Sequence, residues 1–544
     1  MPFDESFDLV VVGSGASAVA AACVAKSQGL TSVIIEKLDK FGGSTAYSGG
    51  VFWMPLNPYL EQGDSMEDAL RYFEATAGDS GPASSLERRK TFIENSPKVI
   101  ALLQQHGMQF EHSRWPDYYS DRPGGSKEGR SLNAPLFDLC ELGEWQDKVG
   151  HSPNMPQVPV NTPDYCRMTN AKTSFKAKLL AAEAGWMMLK NVLLRRKVRG
   201  SGVAVQGRLL QIALREKLPI WLGTKVNSLI EENGRVVGVT VEQDGKERRI
   251  GATRGVLLNA GGYAHNRAIR DVHQPFGIDP RWNWSSPGDT GDLIGQVEAL
   301  GGYTDLMDEA IWVPGSMDAD GTPYFNVPMG TGKPHHIAVD AKGSRFADET
   351  CAYMEFGQRM IRTGGQTWAI MDSQARKKYP WGPCLPGSTP EKWIESGYFI
   401  RDDTIEGLAV KCGMDPQTLR ETVDRFNGFA RKGVDEEFHR GESVNSRWVG
   451  GNTHKPNPAL GEVSKPPYYA VKLCLTNVGT AGGLMTDEFA RVVRQDGRPI
   501  EGLYATGNST ASVMGRAYLG AGASIGASLV FGYVAAKHAA AAND

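Results

Sequence analysis

The chain has 544 residues, 41% hydrophobic and 22% charged, with a formal net charge of −3. That length exceeds one ordinary core and fits two or more lobes, while the composition excludes fibrous and wholly disordered classes. The charge balance gives no whole-chain preference for nucleic acid, and seven scattered cysteines without a C-x-x-C pair support neither a disulfide framework nor a zinc site. No metal ligand set is expected, and the cysteine usage points to a reduced, cytoplasmic compartment. The acidic N-terminus runs straight into an apolar stretch, unlike a signal peptide, and no run of about 18 apolar residues predicts a membrane span.

In chain order, Phe7 to Val12 read as a buried strand. Gly13-Ser14-Gly15-Ala16-Ser17-Ala18 opens an alanine-rich helical stretch to Gln28, and Thr31 to Ile35 form a second strand followed by Glu36. This is a β-turn-α-β unit of the dinucleotide-binding kind. Gly13 makes the turn, Gly15 lets backbone approach a pyrophosphate, and Ala18 lets helix and strand pack closely. The helix N-terminus offers N–H groups to phosphate, and Glu36 offers an acceptor to a ribose hydroxyl. A second small-residue loop follows at Phe41-Gly42-Gly43-Ser44-Thr45-Ala46-Tyr47-Ser48-Gly49-Gly50. It lets the chain run close to a large flat ligand.

Further along, Phe175 to Arg199 carries seven basic residues and one acid. Phe175, Leu179, Ala182, Trp186, Leu189 and Leu193 step by four and three, an apolar helical stripe. Two readings stay open. The helix packs its stripe on its own domain or a partner subunit, or it lies at a membrane surface or an entrance for apolar substrate. Asn227 to Ile250 reads as a β-meander with turns at Asn233-Gly234 and Asp244-Gly245. A strand ends in Ala260-Gly261-Gly262. Near the C-terminus another strand reaches Ala505-Thr506-Gly507-Asn508, and a glycine-rich entry containing Ser524 and Ile525 leads into a last helix.

Together these four segments resemble FAD-binding oxidoreductases of the succinate dehydrogenase/fumarate reductase flavoprotein superfamily. The resemblance implies an α/β fold: a Rossmann-like FAD-binding domain, split as 1–308 and 467–544, with an inserted α+β catalytic domain at 309–466. It also assigns Lys37, Val226 and Asp292 to the cofactor. Within the superfamily, Gly479 stands where the fumarate-type branch often has a histidine, which argues against a dicarboxylate substrate.

The match is sharper to the 3-ketosteroid Δ1-dehydrogenases. Trp115-Pro116-Asp117-Tyr118-Tyr119 and the stretch from Gly433 to Glu442 (GVDEEFHRGE) resemble that family's signatures. So do Ser344 to Glu349 leading to Tyr353, and Gly515 to Gly522 containing Tyr518. The family usually has proline where Leu519 and Ala521 stand here, a departure that bears on loop rigidity more than on catalytic groups. The resemblance implies that Tyr518 and the Gly522 N–H bind a ketone oxygen, that Tyr353 takes the C2 proton, and that Tyr118 favours a phenolate-like Tyr353. FAD takes the C1 hydride and an external acceptor, a quinone or similar, reoxidises it. A 3-ketosteroid 4(5α)-dehydrogenase or another flavin-dependent enone oxidoreductase is the alternative. Arg130 and His439 are expected to be structural.

Overall fold

The computed structural model describes residues 2–274, 278–279, 281–325 and 330–542. Strand Glu5–Val12 sits inside an eight-stranded sheet, between Lys246–Leu258 and Ser32–Ile35. It pairs in parallel with both, so Val12 lies beside Leu258 on one side and Ile35 on the other. The long strand Lys246–Leu258 changes partner along its length. Its first half pairs antiparallel with Arg235–Gln243, and its last residues pair in parallel with Pro499–Ala505. The carboxyl ends of four parallel strands therefore meet at one edge, where ligands of open α/β sheets bind.

Local chemistry explains these elements. The Val-rich strands are buried on both faces, as a helix-covered parallel sheet requires. Helix Ser17–Ser27 is buried over Ser17 to Ala25 and packs on the C-terminal helix Ala523–Ala541. Their approach is close: a Cβ on Gly532 would stand 2.4 Å from the Ser17 Cβ. At the two meander turns, Asn233, Gly234, Asp244 and Gly245 all take positive φ, the geometry that the N-G and D-G pairs predict.

A second, antiparallel sheet is built around Tyr468–Thr480, which pairs with Ala310–Met317, Thr367–Asp372 and Ile400–Asp402. The sequence boundary at 467 falls just before this strand and would assign it to the nucleotide lobe. Among the described residues its partner strands lie between 310 and 402, and a single parallel bridge joins Asn477 to Asn283.

The stretch from Gly433 to Glu442 serves as a buried electrostatic clasp. Arg345 bonds Glu349 and Asp435, and Arg440 bonds Glu349, with Arg345, Arg440 and Glu349 fully buried. Burial alone would raise the Glu349 carboxyl, but Arg345 and Arg440 hold it below its ordinary range. His439 points to solvent with 71% of its side chain exposed and lies 3.2 Å from Glu442, away from the cavity lining.

Helix Phe175–Leu193 removes one part of the first reading of its stripe, packing on its own domain, and leaves a partner subunit open. Ala177, Ala184 and Asn191 face the body, whereas Phe175, Leu179, Trp186, Leu189 and Leu193 are 47–74% exposed. The apolar stripe is not packed on its own domain. Among the described residues no helix is long and apolar enough to cross a membrane.

Removing one member of a buried ion cluster strands its partners' charges, a cost of about 3–5 kcal/mol. Arg345→Leu should lower the unfolding free energy by about that amount, whereas Arg71→Leu, in an exposed pair with Glu67, should cost under about 1 kcal/mol. Denaturant titration of both variants checks this.

Candidate active site

One cavity of about 390 Å³ opens at the carboxyl ends of the parallel strands and runs to the second sheet. At its nucleotide end, Gly13 has φ +99°, and a Cβ there would stand 2.2 Å from the Asn259 carbonyl oxygen. Gly43 faces Gly15 so closely that its Cβ position lies 3.6 Å from the Gly15 Cα. Two side-chain-free backbones thus form a cradle. The Ser14 N–H and hydroxyl donate to Glu36 Oε2 at 3.0 and 2.6 Å, and the Leu38 N–H donates to Oε1 at 2.9 Å. This fixes Glu36 at the end of its strand, on the cavity wall. Lys37 and Asp292 pair with each other at 3.0 Å on the same wall.

Of the residues assigned to the cofactor, Gly13, Gly15, Ala16, Glu36, Lys37, Gly43, Ser44, Thr45, Ser48, Gly49 and Gly50 line this cavity, as do Val226, Ala260, Gly261, Asp292, Gly507, Asn508, Ser524 and Ile525. The others stand behind it. Ser14 is spent on Glu36 and on the Gly42 N–H, which donates to its hydroxyl. Ser17 and Ala18 are sealed in the helix packing. Gly262 is backed by Thr480, whose Oγ1 would lie 1.9 Å from an added Cβ.

Asp289 is a wall residue that the sequence reading missed. The Ser44 hydroxyl donates to it at 2.8 Å, and burial pushes its carboxyl up to about 7. The available signal was its place between Gly288 and Gly291. The apolar wall Met155, Pro156, Val158 and Val160 was missed as well. It lies in irregular chain with no periodicity to read.

At the far end three tyrosines from distant parts of the chain meet. Tyr353 begins helix Tyr353–Arg362. Its ring lies 5.5 Å from that of Tyr118 and 5.2 Å from that of Tyr518, and the last two are 6.1 Å apart. All three line the cavity with Gly522. The Tyr518 hydroxyl is 3.0 Å from Ser524 Oγ. Gly522 has φ +85°, and a Cβ there would overlap the Val51 carbonyl oxygen at 1.9 Å, so only glycine fits. Tyr119 turns away and lies under the Arg122 guanidinium at 4.2 Å.

Burial, then the neighbouring phenols, holds the Tyr353 hydroxyl well above its ordinary range. This corrects the expectation that Tyr118 favours a phenolate at Tyr353. In a desolvated cluster, one phenol's ionisation disfavours the next. Arg130 is structural, as expected: it is 1% exposed and bonds Asp64 and Asp117.

A family profile described as FAD binding domain matches residues 8–525. The chain is 37% identical to the 3-oxosteroid 1-dehydrogenase of Mycolicibacterium smegmatis, across 99% of this chain and 98% of the relative. The chain belongs to this FAD-binding oxidoreductase family. Its cofactor is FAD, and the glycine cradle with Glu36 fits the dinucleotide. Another relative of this flavoprotein, at 32% identity over 98% of this chain and 93% of its own length, is the 4-oxocyclohex-2-ene-1-carboxylate 5-dehydrogenase of Sinomonas cyclohexanicum. Among solved structures, 3-ketosteroid Δ1-dehydrogenase from Sterolibacterium denitrificans, in complex with 1,4-androstadiene-3,17-dione, matches with a TM-score of 0.93 at 35% identity. That match covers 99% of this chain and 100% of the other.

Folding raises the Asp289 pKa from 3.8 to about 7, so the folded flavin-free chain keeps a proton that the unfolded chain releases. This stabilisation is fully present below the unfolded value and is lost as pH rises through the folded one. In flavin-free protein, the melting temperature of wild type relative to Asp289→Asn should fall as pH rises from about 4 to about 7. A constant difference across that range would contradict the assignment.

Proposed function

We propose that the protein is an FAD-dependent 3-oxosteroid 1-dehydrogenase, converting a 3-keto-4-ene steroid into a 1,4-dien-3-one. The observation that carries this reading is the convergence of Tyr118, Tyr353, Tyr518 and Gly522 on one apolar cavity that continues into the dinucleotide cradle. The reading also rests on full-length similarity to enzymes of that name.

The substrate has no acidic group, so its C2 hydrogen becomes removable only when the C3 carbonyl is polarised toward an enolate. Tyr518 and the Gly522 N–H serve as the donor pair for that oxygen, in a site where burial strengthens each hydrogen bond. Tyr353 receives the C2 proton. Its hydroxyl is neutral in the free enzyme, so as it takes the substrate's proton it passes its own to Tyr118, and Tyr118 releases its proton to water in the cavity that both line. Bound FAD supplies the acceptor for the hydride that leaves C1. An external acceptor, a quinone or similar, then takes the electrons.

A fumarate-type dicarboxylate is a poor alternative. Gly479 has φ +136°, and a Cβ there would stand 2.3 Å from Asn508 Nδ2, so a histidine at that position would be strained and would have to displace the Asn508 side chain. A 4(5α)-dehydrogenation would use the same donors and differs only in ring placement, so the product decides between the two.

Anaerobic mixing of the yellow enzyme with androst-4-ene-3,17-dione tests the reading. The flavin should bleach and the steroid should appear as the 1,4-diene. Tyr518→Phe should retain flavin and reduce it about 10²–10³-fold more slowly, the usual loss for one oxyanion donor. A 5α-specific reaction, or no bleaching, would overturn the reading.

For the exposed stripe of helix Phe175–Leu193 we infer a peripheral contact with an anionic lipid surface. Lys176, Lys178 and Lys190 are exposed beside the stripe, and Arg195 and Arg196 follow it. A basic amphipathic helix of this kind binds by apolar burial plus attraction to anionic headgroups. The protein should sediment with phosphatidylglycerol vesicles, and Trp186→Glu with Leu189→Glu should abolish this without loss of activity on dissolved steroid. Equal sedimentation of wild type and variant would contradict the contact.

A further inference from the structure

A second cavity of about 390 Å³ lies against the first half of helix Phe175–Leu193. Its wall carries Arg114, Arg167, Lys176 and Lys333, and no acidic side chain among the described residues. Arg114 and Arg167 are already paired with Glu61 and Asp164. Lys333 is different. It is 3% exposed, and its ammonium donates to the Val449 carbonyl at 2.7 Å and to Asn170 Oδ1 at 3.3 Å. Its third N–H has no partner, and no carboxylate pairs with it among the described residues. A buried ammonium without a counter-ion is costly, and burial pulls this one down to about 8.

The second cavity adjoins the catalytic one. Cys166 lines both. Trp115, on the catalytic side, lies 6.2 Å from Tyr118 and stacks at 4.2 Å on Trp448, which lines the second cavity. The aromatic contacts thus run from Tyr118 through Trp115 to Trp448, which lines the second cavity together with Lys333. Leu180, Ala177 and Trp448 give the second cavity an apolar flank suited to methylene groups.

We propose that this second cavity is a subsite for the far end of the substrate, and that Lys333 binds a carboxylate on the side chain of a ring ketone. The inference rests on the ring-ketone reading given above and narrows it to acidic, long-tailed substrates. Lys333 would pair with the carboxylate through its unused N–H, while the ketone sits at Tyr518 some way along the same wall.

The test compares three ketones at pH 7: 3-oxochol-4-en-24-oic acid, its methyl ester, and androst-4-ene-3,17-dione. Wild type should favour the acid over the ester through KM. Lys333→Met should raise KM for the acid about tenfold to a hundredfold, the range for losing a charged hydrogen bond, and leave the ester and the dione unchanged. Leu180→Trp, which fills the second cavity without touching the catalytic one, should raise KM for both long-tailed ketones and spare the dione. If Lys333→Met impairs all three ketones equally, the lysine only braces the end of helix Val444–Gly450 and the proposal fails. It also fails, with the ring-ketone reading intact, if wild type turns over the dione but does not distinguish acid from ester. If wild type reduces its flavin with none of the three, the ring-ketone reading falls and the subsite with it.

Discussion

The carbonyl of Leu519 accepts hydrogen bonds from the Tyr118 N–H at 3.0 Å and the Tyr72 hydroxyl at 2.6 Å. Two residues on, the Ala521 carbonyl accepts from the Ser131 hydroxyl at 2.9 Å, and the Gly522 carbonyl accepts from the Trp53 N–H at 3.2 Å. These bonds hold a loop near the C-terminus against chain from the first quarter of the sequence. Tyr118, Tyr518 and Gly522 take their places from that contact. The Leu519 and Ala521 carbonyls anchor the loop through these bonds. Gly522 must be glycine because the Val51 carbonyl leaves no room for a Cβ.

The same contact explains a buried ion cluster beside it. Asp117 precedes Tyr118 and is fully buried, accepting from Trp53 Nε1 at 2.8 Å and from Arg130. Burial leaves the Asp117 carboxyl above its ordinary range although Arg130 pulls the other way. Arg130 then reaches Asp64 at 2.7 Å. A cluster of this kind stabilises little in net terms, because desolvation offsets attraction. It does fix the angle at which Tyr118 enters the cavity, and an error of about an ångström in such a position is costly to rate. Desolvation has a second consequence. It holds the Tyr118 and Tyr353 hydroxyls well above their ordinary range.

The nucleotide half was readable because its signal is local. Gly13, Gly15 and Glu36 lie within one β-α-β unit, and strand pairing carries that spacing directly into the cradle. The tyrosines are separated by hundreds of residues, and no periodicity links them, so only the family resemblance brought them together. Asp289 escaped because its function depends on burial beside Ser44, a residue far from it in sequence. The stripe on Phe175–Leu193 was found by its period, but period alone does not say which face is covered. The small residues Ala177 and Ala184 allow close packing on the body and took that side.

The account turns on Tyr353 taking a proton from C2 of a ketone held at Tyr518. The most direct measurement is the rate of anaerobic flavin reduction by androst-4-ene-3,17-dione carrying deuterium at C2. The account predicts slower reduction with the label in wild type, and almost no reduction of either isotopologue in Tyr353→Phe. Reduction that ignores the C2 label, or that survives intact in Tyr353→Phe, would contradict it.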